Sequence, residues 1–177
     1  MQASAGFVLW LTGLPASGKS TLAHALQQAC LERGISTQVL DSDDLRQVLT
    51  PEPRYTAEER DWFYSVLIYI AVLLADNGVP VIIAATASRR AYRQKARARL
   101  DSFAEISVAC PPEICRQRDP KGLWQKAAAG EITNLPGMNA PYEEPLAPDV
   151  CVDSEHLSPQ QAAQKILQEL HALIEAA

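Results

Sequence analysis

The chain has 177 residues, of which 47% are hydrophobic and 21% charged, with a formal charge of −5. That length and balance suit one domain, 1–177, able to bury a sizeable core, and they exclude a disordered or fibrous chain. The acidic excess argues against a general nucleic-acid binder, and the longest apolar run, 66–75, is too short to span a bilayer, so neither nucleic acid nor membrane is an expected partner.

Residues 1–5 lack the basic start of a secretory leader. Cys30, Cys110, Cys115 and Cys151 form neither a C-x-x-C pair nor a zinc spacing, so buried, reduced thiols in a cytoplasmic protein are expected. A strand at about 6–12 carries the apolar run 7–11 and leads into Gly13-Leu14-Pro15-Ala16-Ser17-Gly18-Lys19-Ser20-Thr21. This stretch fits G-x-x-x-x-G-K-[ST], the phosphate-binding loop, and a helix at about 19–33 follows it as the motif requires. Glycines let main-chain N–H groups approach phosphate oxygens, and the helix's positive end adds to the attraction. Lys19 is placed to neutralise the β- and γ-phosphates of ATP, and the Ser20 hydroxyl to bind Mg²⁺.

A second strand, 36–40, runs into Asp41-Ser42-Asp43-Asp44 and a short helix at 45–49. An acid at the end of such a strand can hold Mg²⁺ or accept a proton from an attacking hydroxyl; the same cluster also reads as a helix cap. Thr56 and Glu59 have the spacing of a capping box for a helix to about Asp76, with the adjacent aromatics Trp62, Phe63 and Tyr64 on it. Residues 79–85 form an apolar strand, 89–99 a basic helix read as a solvated face, and 103–109 a fourth strand. A helix at 112–118 precedes the Gly-, Pro- and Asn-rich segment 119–148, which carries one helical piece at 123–129 and reads as a lid. A last strand at 150–153 and an amphipathic helix at 159–175 complete an α/β domain: a parallel β-sheet covered on both sides, the three-layer arrangement of P-loop NTPases. No strand-terminal Asp of Walker B type follows the third strand and no N-K-x-D occurs, which favours phosphoryl transfer to a small acceptor over a GTPase or motor. Arg46, Arg60, Arg90, Arg118 and Lys121 are candidate grips for anionic groups, each alone also readable as a surface charge.

Three strings resemble the adenylylsulfate (APS) kinase family: the phosphate loop, Leu40-Asp41-Ser42-Asp43-Asp44-Leu45-Arg46, and the lid run from Asp119-Pro120-Lys121-Gly122-Leu123-Trp124 through Pro141-Tyr142-Glu143. The resemblance covers nearly the whole chain. It implies an ATP-dependent kinase acting on the 3′-hydroxyl of adenosine 5′-phosphosulfate, a homodimer of the sulfate-assimilation pathway. It further implies Asp43 as base and metal-associated acid, with Lys121 as the lid cation on the moving phosphoryl. Arg46 and Arg60 then become acceptor contacts, and Arg118 lies against the ATP adenine. Departures gather on the acceptor side: Phe63 stands for the Asn of R-x-x-N, Ala85 for an aromatic read as an adenine platform, and Leu135 for the lid Phe. A kinase of the same family acting on another anionic nucleotide, such as a cytidine diphosphate derivative, is the alternative, and a non-catalytic nucleotide-binding regulator a more distant one.

Overall fold

The structure is a computed structural model that describes residues 5–176; residues 1–4, read above for a leader, and 177 lie outside them. Five strands, β1 (Val8–Thr12), β2 (Gln38–Asp41), β3 (Val81–Ala84), β4 (Phe103–Ala109) and β5 (Val150–Asp153), pair in parallel in the order β2-β3-β1-β4-β5. β1 lies at the centre and every one of its side chains is buried, as a continuous apolar strand covered on both faces must be. Against one face pack α1 (Lys19–Leu31), α7 (Pro159–Glu169) and α8 (His171–Glu175), through Leu22, Leu26, Ile166 and Leu167. Against the other lie α3 (Ala57–Asp76) and α4 (Arg90–Arg97), with α2 (Ser42–Leu49) at its margin. The expected three-layer α/β architecture is therefore present. Parallel strands send their C-terminal ends to one edge, where β1 delivers the phosphate loop and β2 the acidic cluster.

Between β4 and β5, α5 (Pro112–Arg118) and α6 (Leu123–Ala128) begin the lid segment, whose own small core joins Cys115, Trp124, Ala127 and Leu135. Several bonds fix the lid to the body, two of them close to the phosphate loop and β1. The Trp124 indole N–H donates to the Pro15 carbonyl at 3.1 Å, and the Thr12 hydroxyl meets that of Tyr142 at 3.1 Å. Gly137 sits so close to the phosphate loop that a Cβ there would fall 2.4 Å from a Leu14 methyl.

Three expectations need correction. The basic helix is not simply a solvated face, because Arg93 is only 1% exposed. Its guanidinium is satisfied by the Glu105 carboxylate on β4 and by the carbonyls of Ala87 and Glu143, which is what makes burial of that charge tolerable. The C-terminal helix breaks at Leu170, whose side chain turns into the core, so that α8 is a separate turn. Of the cysteines only Cys30 and Cys115 are buried; Cys151 is exposed and Cys110 half-buried.

Candidate active site

The edge formed by the strand ends is a cleft of about 510 Å³ between body and lid. Its donor side is main chain. Gly13 is required by close approach, since a Cβ would lie 2.5 Å from the Val108 carbonyl oxygen. Gly18 has φ of 93° and caps α1 without any side-chain partner, which leaves the first N–H groups of that helix free to bind an anion. Pro15, Ala16, Gly18, Lys19, Ser20 and Thr21 line the cleft, whereas Gly13, Leu14 and Ser17 shape the loop from behind. The Lys19 ammonium donates to the carbonyls of Gly13 at 3.0 Å and Leu14 at 2.7 Å. Burial pushes its pKa down to about 8, against the opposing pull of the Asp43 charge. Arg118 reaches the cleft beside Gly18 and is anchored by donating to the Ser154 hydroxyl at 3.2 Å and carbonyl at 2.5 Å.

Asp41 caps α2: its Oδ1 accepts from the Asp43 N–H at 2.8 Å, which settles the cap in favour of Asp41 and turns the Asp43 side chain outward. There Asp43 Oδ2 meets the Lys121 ammonium from the lid at 2.5 Å. Burial lowers the Lys121 pKa, but the hydrogen bond and charge of Asp43 outweigh it, and the net direction is up. Ser20, Asp41 and Asp43 share the cleft wall, so its hydroxyl and carboxylate donors are the hard oxygen set that suits Mg²⁺.

The acceptor side is made of side chains. Arg46 is 8% exposed, its guanidinium carbon lies 3.8 Å from the Phe63 ring centroid and 5.0 Å from that of Tyr55, and its Nη1 has no hydrogen-bond partner. Arg60 ties α3 to the lid, with Nε donating to the Tyr55 carbonyl and Nη2 to that of Asn134, both at 3.1 Å. Leu135 lines the cleft from the lid. Phe63 and Ala85 do not line it: both are fully buried, and the Ala85 carbonyl accepts from the Trp10 indole at 3.2 Å. Their neighbours Ala84, Thr86 and Tyr64 reach the wall instead. Trp62 points to solvent, and the Arg90 side chain pairs with Glu143 away from the cleft.

Tyr55 was missed by sequence reasoning. It lines the cleft, holds φ of 54°, and is fixed there because its N–H donates to the Glu59 carboxylate. Thr56 does cap α3, but Glu59 answers to Tyr55 rather than to the Thr56 N–H of a full capping box. The usable signal was an aromatic immediately before that cap and five residues before Arg60.

Parallel sheet, phosphate loop, lid cation and strand-end acids together define a P-loop kinase with a two-sided cleft. The family model for adenylylsulphate kinase matches residues 5–153. A probable adenylyl-sulfate kinase of Halalkalibacterium halodurans is 41% identical over 167 residues, 93% of this chain and 83% of its own length. The adenylyl-sulfate kinase of Thermodesulfovibrio yellowstonii is 41% identical over 163 residues, 91% of this chain and 82% of its own. The structure of the Mycobacterium tuberculosis APS kinase in complex with AMPPNP and APS superposes with a TM-score of 0.88 at 37% identity, covering 94% of this chain and 98% of that one. The chain belongs to the adenylylsulphate kinase family.

Proposed function

We propose that this protein transfers the γ-phosphoryl group of ATP to the 3′-hydroxyl of adenosine 5′-phosphosulfate. The observation that carries the reading is the shared cleft. A free helix N-terminus, an acid–lysine pair and a buried arginine with one unpartnered nitrogen all line it. Residues 13–21 grip the triphosphate, and Arg118 lies against the adenine. The acceptor's anionic part meets Arg46 and Arg60, while Tyr55 and Leu135 flank its base. Asp43 takes the proton of the attacking hydroxyl as the phosphorus–oxygen bond to ADP breaks. Lys19 and Lys121 stabilise charge on the equatorial oxygens. A magnesium ion held by Ser20 and Asp43 would supply charge neutralisation at the phosphates. Segment 119–148 serves as a lid that excludes water, and the chain works as one catalytic unit. The resemblance adds a cytoplasmic homodimer as the working form, which sedimentation tests.

A second reading keeps the reaction and changes the acceptor to another anionic nucleotide, such as a cytidine diphosphate derivative. It is favoured by Leu135, which puts an aliphatic wall where the family has a lid aromatic and leaves Tyr55 as the aromatic wall. Coupled ADP release over APS, cytidine diphosphate derivatives and an acceptor-free control separates the two. APS-dependent release with the highest kcat/KM supports the first reading. Preference for a cytidine compound selects the second, and no acceptor-dependent release from any of them sinks both.

A further inference from the structure

Phe63 stands where the family's R-x-x-N string has a hydrogen-bonding amide, yet it is fully buried and forms no part of the cleft wall. What it touches is Arg46. The guanidinium carbon lies 3.8 Å from the Phe63 centroid, on the cation-attracting face of the ring, and Tyr55 flanks the same group at 5.0 Å. Phe63 is itself immobilised. It meets Tyr64 edge to face at 5.5 Å and 79°, and Tyr64 stacks on Tyr92 from α4 at 4.3 Å and 25°. The Tyr64 hydroxyl accepts the Ala87 N–H at 2.9 Å, which pins this aromatic column to the loop after β3. The column ends in a cation that is 8% exposed and has Nη1 unpartnered.

A buried guanidinium short of a hydrogen bond at Nη1 is costly, so the ring faces as well as the neighbouring Tyr64 hydroxyl must hold its geometry. An arginine already fixed between two ring faces also loses less freedom when it grips an anion than one that must first be ordered. We propose that Phe63 is a positioning residue for the acceptor: its ring holds the Arg46 guanidinium in the plane in which the part of Arg46 that lines the cleft meets the acceptor's anionic group. This role rests on the phosphotransfer reading above, and it acts on acceptor binding rather than on the chemical step.

Steady-state kinetics with ATP and APS on the full chain tests it, using Phe63→Leu, which keeps apolar volume without a π face, and Phe63→Tyr, which keeps the face. Phe63→Leu should raise the acceptor KM about tenfold, with the ATP KM and kcat held within about twofold, and Phe63→Tyr should restore the acceptor KM. If Phe63→Leu does not fold, Phe63→Met, an unbranched filler, gives the same comparison. An unchanged acceptor KM in a folded Leu or Met variant overturns the role. So does a parallel rise in the ATP KM, or a Tyr variant as impaired as the Leu one. An acceptor KM lowered by Phe63→Asn overturns it as well. Wild-type protein that shows no APS-dependent turnover refutes the APS reading itself; normal wild-type turnover with a flat Phe63 series refutes only the positioning role.

Discussion

On the proposed donor side of the cleft the groups offered to a ligand belong to the main chain of one stretch, 13–21, while on the proposed acceptor side they are side chains gathered from α2, α3, the loop after β3 and the lid. Main-chain N–H groups are presented whatever most side chains are, provided glycine stands at the close approach of Gly13 and the left-handed turn of Gly18. Such a site is stable in kind: it binds phosphate and little else. Side chains can be exchanged one by one without disturbing the sheet beneath. Leu135 is such an exchange, made in a cleft whose phosphate loop fits its motif at each defining position. On the proposed reading, the groups that set the reaction and those that choose the acceptor are separate sets of residues.

That separation can be broken or sharpened by experiment. Replacing Lys19 with Ala should abolish ATP-dependent transfer, by about 10³-fold or more, because a cation at the developing charge is lost. Residual transfer near the wild-type level, read by ADP release, would show that the loop is not the donor site. Asp43→Asn should lower kcat about 10²-fold while the ATP Kd, measured by calorimetry, stays nearly constant. Full turnover in that variant would remove Asp43 from the role of base.

On the other side, Tyr55→Ala should raise the acceptor KM about tenfold through loss of a stacking face, and leave the ATP KM alone. Ala85→Phe should offer no compensating platform. A ring at that fully buried position overpacks the core and should cost about 1–3 kcal/mol of stability, visible as a lower Tm. Better acceptor binding by Ala85→Phe would overturn this placement of the base site. The smallest effect is on pH. Lys19 is held down at about 8 by burial, and a triphosphate favours its protonated form, so ATP affinity should be flat below that pH and fall as pH rises through it. The expected loss is about fivefold between pH 8 and pH 9, the drop in the protonated fraction. A flat affinity profile across that interval would show that the ammonium is not what the phosphates meet.

The donor half was readable because its motif is contiguous and its geometry follows from glycine and helix-end chemistry. The parallel sheet was readable for a related reason: its two most buried strands are uninterrupted apolar runs, 8–11 and Val81–Ala84. Arg93 could not be read. A charge in a basic run looks solvated until the fold brings Glu105 and two carbonyls to it from β4, the loop after β3 and the lid. Ala85 was misplaced for a period-two reason: in an extended segment neighbouring side chains face opposite ways, so Ala84 and Thr86 reach the cleft and Ala85 the core. Tyr55 escaped notice because its role depends on a left-handed backbone that Glu59 stabilises from the next helical turn.

The contact between Asp43 and Lys121 makes the cleft an interlock. The Lys121 ammonium occupies Asp43 Oδ2, and that oxygen is free to meet an attacking hydroxyl only when the lysine shifts its grip to a phosphoryl group in transit. On the proposed reading, access to Asp43 is thus tied to the presence of the group to be moved, and a stray water that enters early finds Oδ2 already taken. Loosening the clasp with Lys121→Gln should slow transfer and raise the share of ATP lost to plain hydrolysis; an unaltered share would mean that the lid alone keeps water idle.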